Sequence, residues 1–320
     1  MYDTTVLVIG PADDSLRLLS EAGEGVRFVT GERLEDFEGA APEADAVFFS
    51  GSSRRVLEEL LPTAPRVRWV HTRWAGLEGL LSPAVARHPS VLTNARGVYS
   101  GALAEFVLAA ILYFAKDLGR MVRNQRAEIW EPFDVEEIRG KTLGIVGYGH
   151  IGASIAERGR GAGLRVLALR RSAAATPDSR VDEWVPGRQL RDLMARSDYV
   201  AVALPATPET RHLVDAAALG ALRKSAVFVN VGRGSTVDEA ALVRALETRA
   251  IRGAALDVFE TEPLPAGHPL YRLENVLVSP HCADHTPTWR DDAVRLFLEN
   301  LGRFRRGESL RNVVDKTRGY

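Results

Sequence analysis

The stretch GIVGYGHIG, Gly144 to Gly152, decides the fold, because it places glycines at 147, 149 and 152 directly after an apolar run. The run TLGIVG reads as a buried strand, ASIAERGRGA as a helix, and RVLALR as a second strand. In such a unit, Gly147 permits a tight turn, Gly149 lets a pyrophosphate approach the backbone, and Gly152 lets the helix pack closely on the strand. The alternative is a glycine-rich turn without a ligand. The placement favours a dinucleotide site lined by Gly147, Tyr148, Gly149, His150, Ile151 and Gly152.

The second strand of this unit ends in Arg170 and Arg171, followed by Ser172. Sites for NAD have an Asp or Glu about 20 residues after the glycines, which accepts hydrogen bonds from the adenosine ribose. A carboxylate would repel a 2′-phosphate, whereas guanidinium and hydroxyl groups bind one through charge-assisted hydrogen bonds. We therefore predict NADP(H) as the preferred cofactor. NAD(H) stays open as the alternative, in which both arginines are simply solvated residues at a strand end.

The whole chain alternates apolar runs of strand length with amphipathic stretches of helix length, which is typical of parallel sheets covered by helices. A first block contains the strand-like runs TVLVIG, DAVFFS, VRWVHT and SVLTNA. A second block, from Lys141, contains TLGIVG, RVLALR, YVAVAL, AVFVNV, GAALDVF and NVLVSP. We expect one long helix from Ser100 to Gln125 to link the blocks. A final amphipathic helix, within TPTWRDDAVRLFLENLGRFRRGE, is expected to return to the first block.

Composition narrows the classes of partner. The chain has 320 residues, 46% of them hydrophobic, which allows two domains. Its 41 basic and 42 acidic residues are well mixed, so we expect no nucleic-acid or membrane partner and favour a small molecule. The single cysteine, Cys282, excludes an internal disulfide. With no signal-like N-terminal segment and no apolar stretch near the roughly 20 residues of a spanning helix, we predict a cytoplasmic location.

Charged residues follow three of the later strand-like runs, in VNVGRGSTVDE, ALDVFETEPLP and VSPHCADHTP. Arg233 follows the first, Asp257 and Glu262 follow the second, and His281 follows the third. Ligands of open α/β sheets bind outside the carboxyl ends of the strands. We therefore expect a cation, an acid and a base to converge there.

Together with GYGHIG and LPATPETRHLV, these segments resemble the D-isomer specific 2-hydroxyacid dehydrogenase family over most of the chain. The resemblance implies an α/β fold in which a doubly wound Rossmann nucleotide-binding domain is inserted in a smaller, flavodoxin-like substrate domain. The nucleotide-binding domain would span 99–287. The substrate domain would combine 1–98 with 288–320.

The resemblance also implies three catalytic residues: Arg233 in GRG, Glu262 in ETEP and His281 in SPH. Reduction of a 2-keto acid requires a hydride, a proton for the developing alkoxide, and a cation for the carboxylate. His281 would donate the proton. Glu262 would hydrogen-bond to the imidazole and favour its protonated form. Arg233 would orient the carboxylate or the carbonyl.

Binding residues follow from the same resemblance. The substrate would be held by Arg233, His281 and the backbone N–H groups of Ala75, Gly76 and Leu77. Asp257 would hold the nicotinamide carboxamide. The other implied cofactor contacts are Leu204, Pro205, Val231, Gly232, Arg233 and His281.

Some features favour a duller interpretation. The pair His281 and His285 could suggest a metal site, but an i, i+4 pair converges only on a helix, and Pro280 places this segment at a strand end, so we predict no metal. The aromatic residues Trp74, Tyr99 and Trp289 could line the substrate cavity, although a place in the core or in a subunit contact is favoured for each.

The resemblance is closest to the glyoxylate and hydroxypyruvate reductases of the family. We therefore expect NAD(P)H-dependent reduction of a small 2-keto acid to the D-2-hydroxy acid. An NAD-dependent D-2-hydroxyacid or 3-phosphoglycerate dehydrogenase is the alternative enzyme, and a dinucleotide-sensing corepressor is the alternative of another class. The apolar helix beginning near Ser100 would be buried in a homodimer, which we also predict.

Overall fold

The computed structural model describes residues 3–51, 53–170 and 178–319, and the chain divides into two compact units. The first unit combines Met1–Tyr99 with His285–Tyr320, and the second is Ser100–Asp284. The chain thus leaves the first unit once, completes the second, and returns. No helix among the described residues combines the length and the apolar character that crossing a membrane requires.

The elements of the two units are as follows. The first unit contains the strands β1 (Thr4–Ile9), β2 (Val26–Gly31), β3 (Ala46–Phe49), β4 (Trp69–Thr72) and β5 (Val91–Asn94) with the helices α1 (Arg54–Leu60), α2 (Pro83–Arg87) and α9 (Trp289–Arg305). The second unit contains α3 (Ser100–Ala115), α4 (Leu118–Arg126), β6 (Thr142–Val146), α5 (His150–Gly161), β7 (Arg165–Arg170), β8 (Glu183–Pro186), α6 (Leu190–Arg196), β9 (Tyr199–Val202), α7 (Ala216–Gly220), β10 (Val227–Asn230), α8 (Glu239–Glu247), β11 (Gly253–Leu256) and β12 (Val276–Val278).

Each unit is built on one parallel sheet. The order β2-β1-β3-β4-β5 of the first sheet is the flavodoxin-like arrangement. The second sheet has seven strands in the order β12-β11-β10-β9-β6-β7-β8. Numbered within the unit, this is the Rossmann order 3-2-1-4-5-6 with one further strand, and the order reverses between β6 and β9. The predicted fold class is confirmed.

Two strands were missed by the sequence analysis, β2 and β8. Both lie at the edge of their sheet and are only partly buried. An edge strand has one neighbour instead of two, so it does not need the continuous apolar run that identifies a central strand. The second block therefore has seven strands where six were predicted.

The prediction of one helix over Ser100 to Gln125 is wrong. The chain breaks after α3 at Asp117, which adopts a left-handed backbone conformation with φ of 47°. The Asp117 carboxylate then caps α4 by accepting a hydrogen bond from the backbone N–H of Arg120. Aspartate both tolerates this conformation and favours the N-cap position, so the break needs neither glycine nor proline.

Helix α9 packs on the first sheet, as predicted for the returning C-terminal segment. Phe297 of α9 stacks on Phe48 of β3 and on Trp69 of β4, with ring centroids 4.3 and 5.3 Å apart. Val294 and Leu301 of the same helix are also buried there. Burial of these aromatic and aliphatic side chains fixes α9 to the unit that also contains the N-terminal residues.

Candidate active site

The glycine loop joins β6 to α5 in the second unit, and its three glycines have different surroundings. Gly147 has a φ of 100°, and a Cβ there would lie 2.8 Å from the carbonyl oxygen of Ala203. A Cβ on Gly152 would collide with the carbonyl oxygen of Gly147. A Cβ on Gly149, in contrast, would meet no atom within 4 Å.

This open space beside Gly149 lies at the N-terminus of α5, which has no side-chain cap. The first N–H groups of a helix have no partner within the helix, and the helix dipole favours an anion there. His150, Ile151 and Gly152 supply these N–H groups. The loop therefore fits the pyrophosphate of a dinucleotide, as the sequence predicts for it.

The end of β7 carries Arg170, whose guanidinium carbon lies over the ring of Trp184 at 5.0 Å from the ring centroid. Tyr148 of the glycine loop packs edge-on against the same ring and donates a hydrogen bond of 2.8 Å to Asp178 Oδ2. Burial and this hydrogen bond raise the pKa of Tyr148 to about 12. Side-chain hydrogen bonds from Arg180 hold the pKa of Asp178 well below its usual range. Tyr148 is therefore a neutral donor, and Asp178 an ionised acceptor, at neutral pH.

Among the described residues, β7 ends at Arg170, where an NAD site would have a carboxylate. The Asp178 carboxylate is already held by Arg180, through contacts of 2.9 and 2.7 Å. Arg171 and Ser172, also predicted to bind the 2′-phosphate, lie outside the residues that the structure describes.

Glu262 and His281, on loops that follow the neighbouring strands β11 and β12, form a hydrogen-bonded pair. His281 Nδ1 lies 2.6 Å from Glu262 Oε2, and Glu262 Oε1 accepts a hydrogen bond of 2.9 Å from the backbone N–H of Phe259. The side chains are 44% and 34% exposed, so a ligand has access to both. Because the carboxylate occupies Nδ1, Nε2 is the nitrogen left to exchange a proton with a substrate oxygen.

Asp257, at the carboxyl end of β11, holds the loop that carries His281. Its Oδ1 accepts hydrogen bonds from Ser279 Oγ at 2.5 Å and from the backbone N–H groups of Cys282 and Ala283 at 3.0 and 3.1 Å. The resemblance implies only a contact with the cofactor carboxamide for Asp257. Its contribution to positioning the histidine was missed, because the partners are local only in three dimensions.

Arg233 lies at the end of a tight turn that follows β10. Asn230 closes this turn, accepting a hydrogen bond of 3.0 Å from Gly232 N–H and donating one of 3.2 Å to the carbonyl oxygen of Arg233. The Arg233 guanidinium in turn donates to the carbonyl oxygen of Gly232 at 2.8 Å. Val231, also predicted to contact the cofactor, is 3% exposed, so its side chain belongs to the core beneath the turn.

The two glycines that flank Arg233 bring three loops together. A Cβ on Gly232 would lie 2.7 Å from the backbone nitrogen of Leu204, and a Cβ on Gly234 would collide with the carbonyl group of Phe259. The loop of Arg233 therefore touches both the loop of Leu204 and Pro205 and the segment that leads to Glu262. Only glycine permits backbones to approach so closely.

The loop Ala75–Gly76–Leu77, which the resemblance predicts to bind the substrate, is in the first unit, after β4. Its backbone is held by Asn94, whose Nδ2 donates a hydrogen bond of 2.7 Å to the carbonyl oxygen of Ala75. Leu77 is buried in the core of this unit, whereas Ala75 and Gly76 are partly exposed. The loop is thus anchored, with its first two residues accessible.

Aromatic side chains flank this loop. Trp74 is 39% exposed and does not enter the core; its ring centroid lies 5.6 Å from that of Trp289. His285 stacks on Trp289, with the ring centroids 4.9 Å apart and the two ring planes at 6° to each other. Tyr99 contacts Trp289 edge-on, with the ring centroids 6.2 Å apart.

Among the described residues, no group of three or more His, Cys, Asp or Glu side chains is arranged to hold a metal ion.

Known proteins resemble both the sequence and the structure. A family model described as the NAD-binding domain of D-isomer specific 2-hydroxyacid dehydrogenases matches residues 108–283. A glyoxylate reductase of Aeropyrum pernix is 37% identical over 287 residues, which are 86% of this chain and 84% of that one. A D-isomer specific 2-hydroxyacid dehydrogenase of Xanthobacter autotrophicus, solved with NADPH, has a TM-score of 0.86 and 31% identity, with 99% of each chain covered.

A third similar protein is the NADPH-dependent glyoxylate/hydroxypyruvate reductase of Sinorhizobium meliloti, solved with NADP and malonate. It has a TM-score of 0.78 and 29% identity, with 98% of each chain covered. The family model and the sequence identity agree with the strand order and the glycine loop. The cofactor is therefore a nicotinamide dinucleotide, and the chain belongs to the D-isomer specific 2-hydroxyacid dehydrogenase family.

Proposed function

We propose that the protein reduces a small 2-keto acid of the glyoxylate or hydroxypyruvate type to the D-2-hydroxy acid, with NADPH as the preferred hydride donor. The observation that supports this best is the Glu262–His281 pair, held at 2.6 Å after two neighbouring strands of a dinucleotide-binding sheet. The relatives from Aeropyrum pernix and Sinorhizobium meliloti are named for reductases of such acids.

The proposed chemistry assigns one task to each residue. A bound reduced nicotinamide supplies the hydride that the carbonyl carbon of the substrate accepts. His281 donates a proton from Nε2 to the oxygen that becomes the hydroxyl group. Glu262 keeps the imidazole oriented through the hydrogen bond at Nδ1. Arg233 binds the substrate carboxylate. The substrate contacts of Ala75, Gly76 and Leu77 stay a prediction from the sequence.

The preference for NADPH is supported by the end of β7. Arg170 is held against Trp184 by a cation–π contact, and its guanidinium N–H groups can bind a phosphate. The structures from Xanthobacter autotrophicus and Sinorhizobium meliloti were solved with NADPH and NADP. The similarity to glyoxylate reductases shows an oxidoreductase, so the corepressor is no longer an alternative. An NAD-dependent D-2-hydroxyacid or 3-phosphoglycerate dehydrogenase stays the alternative enzyme, and the cytoplasmic location stays a prediction from the sequence.

We also propose a homodimer, but through a different surface from the one the sequence suggested. The apolar face of α3 is buried within its own unit, where Ala104, Val107 and Ile111 lie against α5. Large apolar side chains are exposed instead on α4 and the segment after it: Leu118, Met121, Val122, Ile129, Trp130 and Val135. Trp130 is 97% exposed. A second copy of the chain would remove this patch from water.

Cofactor and substrate use test the proposed reaction. Initial rates of NADPH and NADH oxidation are measured with glyoxylate, hydroxypyruvate, pyruvate and phenylpyruvate. We expect NADPH with glyoxylate or hydroxypyruvate to give the highest kcat/KM. We also expect Arg170→Ala combined with Arg171→Ala to lower the ratio of kcat/KM with NADPH to kcat/KM with NADH about 10- to 100-fold, because one or two charge-assisted hydrogen bonds are lost. Exposed Arg191 provides the control, Arg191→Ala. An unchanged ratio in the double variant would contradict the assignment of the arginines.

The open space at Gly149 gives a second prediction. A methyl group there meets no protein atom, so Gly149→Ala should leave the melting temperature unchanged while occupying the place of the pyrophosphate. We expect the Kd for NADPH, measured by fluorescence titration, to rise about tenfold or more, equivalent to about 1.4 kcal/mol. Gly161→Ala, at the other end of α5 and equally open, is the matched control. Equal affinities of the two variants would exclude the loop as the phosphate site.

The exposed patch is tested by the oligomeric state. Wild-type protein should elute with twice the mass of one chain in size-exclusion chromatography with light scattering. Trp130→Glu combined with Met121→Glu should convert it to a monomer, because two charges would be buried without partners in the contact. Val91→Glu, at an apolar residue of the first unit that is as exposed as Met121, should stay dimeric. A monomeric wild-type protein would overturn the proposal.

A further inference from the structure

Glu260, two residues before Glu262, makes contacts that the catalytic assignment does not use. Its carboxylate Oε1 forms a short hydrogen bond with Nε2 of His212. Its backbone N–H donates a hydrogen bond of 3.0 Å to Glu239 Oε2. The side chain of Glu260 is therefore tied to the loop of His212, and its main chain to the first residue of α8.

His212 is itself held in one place. It has a left-handed backbone conformation with φ of 48°, which is costly for a residue other than glycine. Its N–H donates a hydrogen bond of 2.9 Å to the carbonyl oxygen of Ser235, and the N–H of Val214 donates one of 3.0 Å to that of Thr236. His212 is thereby fixed to the segment that directly follows Arg233.

Glu239, the first residue of α8, fixes the same loop at a second point. Its Oε2 accepts from Glu260, and its Oε1 lies 3.4 Å from Nε2 of His268. The loop after β11 is therefore attached to α8 both before and after Glu262. Along this loop, Phe259 and Leu264 are buried, whereas the residues 260–263 between them are exposed.

The exposed segment needs these attachments because Glu262 must stay in one orientation. Its own hydrogen bond, from the N–H of Phe259, restrains the carboxylate only within the loop. A loop that moves by about 1 Å lowers the rate of a positioned reaction strongly, up to about 100-fold. The contacts of Glu260 instead fix the segment to the loop of Arg233 and to α8.

We propose that Glu260 is a positioning residue, anchored by His212, that holds the Glu262 carboxylate against His281. This inference rests on the proposed function, because it takes the Glu262–His281 pair as catalytic. Glu260 reaches the reaction only through Glu262. Its loss is therefore expected to reduce the rate of the chemical step and not the binding of the cofactor.

The test compares four variants. Glu260→Ala and His212→Ala should each lower kcat with hydroxypyruvate about tenfold, with the KM for NADPH within about twofold of wild type. The combined variant should lose no more than either alone, because both changes remove the same contact. Glu260→Gln should recover kcat to within about twofold, since its amide oxygen still accepts from His212.

Controls separate this inference from the proposed function. Glu274→Ala, at an exposed glutamate of the same unit, should retain wild-type kcat. If Glu260→Ala does not fold, the two separate variants His212→Ala and Glu260→Gln provide the same comparison. Wild-type kcat in Glu260→Ala or His212→Ala, additive losses, or Gln as impaired as Ala would overturn the inference alone. A wild-type protein without turnover would overturn the proposed function, and the inference with it.

Discussion

The hydrogen bond between Glu262 and His281 is the interaction on which the proposed proton transfer depends. It joins loops that leave two adjacent parallel strands, so the spacing of the sheet brings the two side chains within reach. Asp257 holds the histidine loop from below, with three hydrogen bonds to one carboxylate oxygen. The strand register thus determines the geometry of the pair before any ligand binds.

Close backbone approach is the second constraint, and glycine meets it at several loops. Gly147 approaches Ala203, Gly232 approaches Leu204, and Gly234 approaches Phe259. These contacts connect the ends of β6, β9, β10 and β11 without side chains between them. Gly149 differs, since its surroundings are open. One of these glycines leaves room for a ligand, whereas the others let the loops pack.

Much of this was predictable, for identifiable reasons. GYGHIG carries its own context of strand and helix, and Arg233, Glu262 and His281 each follow a strong apolar run. The edge strands β2 and β8 lack such a run. The break between α3 and α4 lies at Asp117. Because aspartate also occurs inside helices, the local sequence did not reveal the break.

The network around Glu260 illustrates what the sequence could not supply. Glu260 and His212 are 48 residues apart, and neither lies in a pattern that names the other as its partner. The cluster of Trp74, His285 and Trp289 is similar, since its members come from opposite ends of the chain. Pairings of this kind depend on how the strands are ordered, which propensity and periodicity do not encode.

In the proposed mechanism, the Glu262–His281 pair transfers the proton, and the dinucleotide binds whether or not His281 is present. This mechanism is tested most directly by measuring NADPH affinity and turnover of 2-keto acid in the same His281→Ala preparation. We expect a Kd for NADPH within about threefold of wild type and a kcat lower by about 100- to 10,000-fold, the usual contribution of a general acid. Turnover near the wild-type rate, with the cofactor bound, would contradict the mechanism.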